Sequence, residues 1–137
     1  MYTNICIEGI DKSGKGIVAE YVKRLSNHQY TVFDRGVISE ITYSKMFGRN
    51  QTFDTEPYKR FVFVNLLVDK EDWEIRCKLA NEPEIDFYKN SNAFHETVSW
   101  FKNNGFYVKE YNTSTMTPFQ IACEIIQFME DINKDNN

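Results

Sequence analysis

Cysteine is scarce and scattered. Cys6, Cys77 and Cys123 have no neighbours at metal-ligand spacing, and an odd, dispersed set argues against a disulfide framework or a zinc site and suits a reducing cytoplasm. His28 and His95 also stand alone and read as surface or loop residues. No apolar run approaches the roughly 18 to 20 residues that cross a bilayer. The start, Met1-Tyr2-Thr3-Asn4, carries no basic, apolar leader, so neither a membrane nor an export route is expected. Positive charge is not in excess: 16 Lys and Arg against 20 Asp and Glu leave a net charge of −4, and no general attraction to nucleic acid is expected. Internal repeats, low-complexity stretches and linkers are missing too. The 137 residues therefore read as one domain over 1–132 with a polar tail over 133–137.

What is present is a globular composition, 42% hydrophobic and 26% charged, patterned as alternating segments. Ile5-Cys6-Ile7 reads as a strand, and Ile17, Val18, Tyr21, Val22 and Leu25 recur at helical spacing. A second strand over 30–33 precedes a helix over 37–47, which Gly48 can end in a left-handed conformation. Residues 49–58 are polar and read as loop. Phe61 to Val68 is almost unbroken apolar sequence, as in a parallel strand buried on both faces. Trp73, Arg76, Cys77 and Ala80 suggest a helix that Pro83 breaks, and Phe87, Phe94, Val98 and Phe101 mark another. After Gly105 comes the strand Phe106-Tyr107-Val108; Thr117-Pro118 then starts a last helix striped by Ala122, Ile125, Met129 and Ile132. The alternation predicts an α/β fold, a parallel sheet of about four strands with helices on both faces.

Gly9-Ile10-Asp11-Lys12-Ser13-Gly14-Lys15 sets two glycines five apart and follows them with lysine, between an apolar strand and an amphipathic helix. This is the phosphate-loop pattern, and it makes the expected fold the three-layer P-loop nucleoside triphosphate hydrolase type. The glycines let the backbone turn tightly, so that N–H groups and the helix N-terminus face an anion, while Lys15 would neutralise the β- and γ-phosphates of a triphosphate. Gly9, Asp11, Lys12, Ser13, Gly14, Lys15, Gly16 and Ile17 are the candidate ATP-binding residues. Position 16 departs from the pattern: glycine stands where a Ser or Thr hydroxyl ordinarily reaches Mg²⁺. Weaker metal binding is expected, with a water in the vacated position. The bare pattern also has a bland reading, a chance glycine turn between strand and helix.

The second strand ends in Asp34-Arg35. In a doubly wound sheet this pair faces the same crevice as the loop, where a carboxylate can hold Mg²⁺ and a guanidinium can clamp a phosphate. A surface ion pair is the alternative. Ile7-Glu8-Gly9 through Lys15 resembles the phosphate loop of thymidylate kinases. Asp34-Arg35 followed by Ser39 and Tyr43 is similar to the Asp-Arg motif of the same family, and Val68-Asp69 to Arg76 to its strand-to-lid segment. The resemblance implies catalytic roles for Lys15, Asp34, Arg35 and Arg76. Asp34 would attend the metal, Arg35 would grip the acceptor phosphate, and Arg76 would cover the transferring phosphoryl group from a lid. Asp11, Ser39 and Tyr43 would lie by the acceptor's sugar or base. Arg49 could reach the crevice from its loop. ATP and Mg²⁺ are the implied cofactors, a nucleotide is the implied substrate, and a homodimer is permitted.

The expected activity is phosphoryl transfer from ATP to a deoxynucleoside monophosphate, whose ionised oxygens need no general base. A deoxynucleoside 5′-hydroxyl would need one, for which Glu8 is the candidate. The competing reading is a nucleotide-binding protein without turnover. Only 19 residues separate Lys15 from Asp34 (34 − 15 = 19), where thymidylate kinases carry additional elements, and the sequence near Arg76 is poor in further basic side chains.

Overall fold

The computed structural model describes residues 1–49, 51–84 and 86–135. Four strands pair in parallel in the order β2-β1-β3-β4: β1 Asn4–Gly9, β2 Thr31–Asp34, β3 Phe61–Leu67 and β4 Tyr107–Asn112. Five α-helices alternate with them: α1 Lys15–Leu25, α2 Val37–Met46, α3 Lys70–Leu79, α4 Phe87–Asn103 and α5 Pro118–Asp135. One 3₁₀ turn, Glu56–Tyr58, interrupts the segment expected as loop.

The two-residue period of the strands sorts their side chains into two cores. Ile5, Ile7, Val62 and Val64 meet Val18 and Val22 of α1 and Ile121, Ile125 and Met129 of α5. Cys6 and Phe63 point the other way, toward Ile38 of α2 and Phe94, Val98 and Phe101 of α4. Phe101 is fully buried, with its ring centroid 5.2 Å from Phe63 and 4.7 Å from Phe106. Each such ring contributes about 1.5–3 kcal/mol by leaving water. β3 is buried through its middle, as its unbroken apolar run implies.

Local chemistry explains the helix ends. α2 stops where Gly48 adopts φ 64, and Arg49 N donates to Ser44 O at 2.8 Å. α5 opens on a reciprocal capping box: Gln120 N donates to Thr117 Oγ1 at 3.1 Å and Thr117 N to Gln120 Oε1 at 2.9 Å.

Three expectations need correction. β2 begins at Thr31 and ends on Asp34, so Arg35 lies beyond the strand. β4 is longer than Phe106–Val108, because parallel pairing with β3 carries it through Lys109 to Asn112 despite their polarity. The tail expected over 133–137 is helical through Asp135: Asn133 is buried, accepts from Tyr2 N at 2.6 Å and donates to Tyr2 O at 2.9 Å. Residues 136 and 137 lie outside the described residues. No helix among the described residues is long and apolar enough to cross a membrane.

The chain leaves β1 for β2 on one side and then crosses back to β3 on the other. The carboxyl end of β1 is therefore the point where an open parallel sheet forms its crevice.

Candidate active site

β1 runs straight into the glycine loop. Gly9 takes φ 140, and a Cβ there would stand 2.7 Å from both Leu66 O and Ser13 Oγ, so only glycine fits. Lys12 and Gly14 also have positive φ, 66 and 98, which wraps the loop onto the start of α1. That start has no side-chain cap and no acidic residue in its first turn. Its N-terminal amides carry no side-chain cap among the described residues and are thus available to an external anion. Ser13 is buried, and its Oγ has no partner among the described residues.

Lys15 is only 7% exposed, and its ammonium donates to Gly9 O at 3.0 Å and Ile10 O at 2.9 Å. Burial holds its pKa below the ordinary 10.5, and the Arg35 charge acts in the same direction against Asp11, Asp34 and Glu8. A depressed lysine stabilises the fold above 10.5, and that contribution is lost as pH falls through the folded value. At neutral pH the charged Lys15 therefore costs folding energy, which a bound polyanion offsets. A titration of the Lys15 Cε resonance is expected to show a midpoint below 10.5 that rises when inorganic tripolyphosphate is added. A midpoint at or above 10.5 in the free protein contradicts this account.

α3 and the turn after β4 grip the loop from outside. Trp73 Nε1 donates to Asp11 O at 3.2 Å, and Lys12 Nζ pairs with Glu82 Oε2 at 2.8 Å. Arg76 Nη1 donates to Lys12 O at 2.8 Å and to Thr113 Oγ1 at 3.0 Å, while Thr113 Oγ1 donates to Ser13 O at 2.8 Å. Here Arg76 differs from its expected place over a phosphoryl group. It braces the loop backbone, because α3 starts directly after Asp69 and turns this side chain toward Lys12. Nothing in the sequence marks Thr113.

Across the crevice, Asp34 lies level with Ile7 in the parallel register. Its carboxylate is exposed, and its Oδ2 would stand 3.5 Å from a Cβ added at Gly16. Arg35 takes φ 80 and places its Nη2 3.9 Å from Asp11 Oδ1. Arg35, Ser39 and Tyr43 line a cavity of about 400 Å³ together with Arg49 and Gln51. The expected acceptor residues are thus gathered in one place, with Asp11 beside them. Gln51 was not anticipated, since it sits in a polar loop with no pattern. Tyr43 contacts Phe94 edge-on at 5.6 Å, and burial raises its phenol pKa. Ser39 borders the cavity, but its hydroxyl donates to Glu8 Oε1 at 2.6 Å.

Glu8 is no free base. It is fully buried, and its carboxylate accepts from Gly36 N at 2.8 Å, Ile38 N at 2.9 Å, Ser39 N at 3.3 Å and the Ser39 hydroxyl. Burial pushes its pKa up while these donors pull it down. Two helices therefore leave this end of the sheet with opposite endowments: the first amides of α2 are bonded to an internal carboxylate, and those of α1 have no side-chain cap among the described residues.

No protein-family model matches the chain, and no curated protein sequence does. Solved structures do. The YorR protein of Bacillus subtilis, in complex with phosphorylated GDP, is 18% identical over 93% of this chain and 96% of that one, with a TM-score of 0.78. The thymidylate kinase of Candida albicans is 13% identical over 98% and 93%, with a TM-score of 0.58. The fold, a four-stranded parallel sheet with helices on both faces, is shared with both. At these identities the likeness is one of architecture, and it agrees with the parallel sheet and glycine loop already described.

Proposed function

We propose that the chain is a nucleoside monophosphate kinase of thymidylate kinase-like type, transferring the γ-phosphoryl group of ATP to a deoxynucleoside monophosphate. One observation carries the reading: two places suited to anions share one crevice. The uncapped start of α1 with Lys15 is the first, and the second is the cavity whose lining carries two guanidinium groups, Arg35 and Arg49, against one carboxylate, Glu40. A protein that holds one nucleotide needs only the first; joining two phosphorylated molecules needs both.

In this reading Lys15 and the loop amides hold the donor's β- and γ-phosphates, and Arg35 orients the acceptor phosphate. The acceptor oxygen forms a bond to the γ-phosphorus as the bridge to ADP breaks, giving ADP and a nucleoside diphosphate. No proton leaves an ionised acceptor, which agrees with a Glu8 fully engaged elsewhere. The residues present fit Mg²⁺: Asp34 is exposed at the crevice, and the bare Gly16 leaves space beside Oδ2 for the waters this ion retains. When bound, the ion would neutralise charge on the donor phosphates. Coupled assays of ADP release over the four deoxynucleoside monophosphates test the proposal, and no turnover on any of them refutes it.

Binding without turnover is the second reading, favoured by Gly16 and by the engagement of Arg76 with Lys12 and Thr113. Gly16→Ser separates the two. The added side chain stands at ordinary contact distance from Asp34 and suits a helix better than glycine, so the fold tolerates it. For a kinase, the restored hydroxyl is expected to raise kcat on the order of tenfold at limiting Mg²⁺. An unchanged baseline supports the binder.

A further inference from the structure

We infer that Glu8 is a positioning residue whose buried carboxylate fixes the backbone of residues 35–39 and thereby aims the Arg35 guanidinium at the acceptor cavity. What the cavity holds rests on the kinase reading; the placement of Arg35 does not. The argument begins with the short connection between β2 and α2, which consists of Arg35 and Gly36 alone. Arg35 sits at φ 80, a region that a side chain disfavours, and such a conformation persists only where neighbours over-determine it.

Two consecutive residues of β1 supply that constraint. Ile7 O accepts from Arg35 N at 2.9 Å, and Glu8 Oε1 accepts from Gly36 N at 2.8 Å. Glu8 then continues along the helix start, taking the amides of Ile38 and Ser39 and the Ser39 hydroxyl. All four contacts are donors aimed at a carboxylate, on the positive end of α2, where a negative charge is favoured. The connection also lies tight against β1: a Cβ at Gly36 would come within 2.8 Å of Cys6 Sγ and 3.1 Å of Glu8 Oε2. With backbone gripped on both sides, Arg35 keeps its guanidinium near Asp11 and on the cavity wall. The donor loop depends on none of these bonds, since α3 and Thr113 hold it from the other side. Loss of Glu8 should therefore harm one half of the crevice and spare the other.

Glu8→Gln tests this. The amide keeps the shape but turns an NH₂ group toward backbone donors. Calorimetric titrations with each deoxynucleoside monophosphate are expected to show affinity reduced about tenfold or more, as Arg35 spends less time in the competent position. ATP affinity is expected to change by clearly less than monophosphate affinity, because Glu8 acts on Lys15 only through its charge and the donor loop keeps its own supports. Equal losses on both sides, or none on the acceptor side, overturn the inference. Should the parent protein bind no monophosphate, the kinase reading fails on that result alone. The positioning is then decided by amide exchange and by the Arg35 Nε–H resonance. Faster exchange confined to Gly36, Ile38 and Ser39 with a shifted Arg35 signal sustains it, and unchanged signals overturn it. Gly36→Ala offers a second route if Glu8→Gln does not fold: its methyl would crowd Cys6 Sγ at 2.8 Å and the Glu8 carboxylate at 3.1 Å, pushing the connection off β1 without removing the carboxylate, and the same one-sided loss is expected.

Discussion

Replacing Lys15 by methionine is expected to abolish productive ATP binding while leaving the fold intact. A phosphate about 4 Å from the ammonium gains about 4 kcal/mol at an effective dielectric constant of about 20. Leaving the carbonyls of Gly9 and Ile10 lowers this by about 1 kcal/mol, so about 3 kcal/mol, or two decades of affinity, depends on this one charge. The methionine stem fills the same space. The melting temperature is not expected to fall, because the parent carries a desolvated ammonium at neutral pH. Titration calorimetry with ATP checks the first part and thermal unfolding the second. A variant that binds ATP within a few-fold of the parent removes the basis for reading the loop as a phosphate site.

The second large effect concerns stability. Gly9→Ala combines a forbidden φ with a 2.7 Å approach to Leu66 O, which is backbone of the neighbouring strand and cannot turn aside. Together these cost about 3 kcal/mol or more, roughly 10 °C in melting temperature for a chain of this size. Gly48→Ala is the control. That residue also has positive φ, 64, but nothing lies within 4 Å of the added methyl, so only the conformational cost of about 1 kcal/mol applies. If the two variants melt at the same temperature, strain at Gly9 comes from conformation alone and the tight seat against β3 is not what shapes the loop.

The glycine loop was legible because its chemistry is local: two glycines, a lysine and their flanking apolar periods lie within one short window. The gathering of Arg35, Ser39 and Tyr43 was legible for a related reason, since a short connection between β2 and α2 leaves them little freedom. Glu8 was not. Its partners stand 28 to 31 residues away, and a carboxylate at a strand end looks the same whether it meets solvent or the start of a helix. The contacts of Arg76 were not legible, because a helix arginine near a crevice can face phosphate or backbone, and the docking of α3 on Asp11 and Lys12 sets the backbone it meets. β4 was under-read because an edge strand that is half-buried along most of its length does not alternate cleanly between polar and apolar residues.

The contact between Trp73 and the carbonyl of Asp11 has an optical corollary. The chain has two tryptophans: Trp73 is buried beneath the glycine loop, while Trp100 is half-exposed on α4, within a separate group of aromatic rings. An indole hydrogen-bonded to the proposed phosphate loop is expected to change its emission if a ligand alters that bond, so occupancy should be readable from native fluorescence without a dye, and Trp100→Phe would leave a single emitter reporting on the loop.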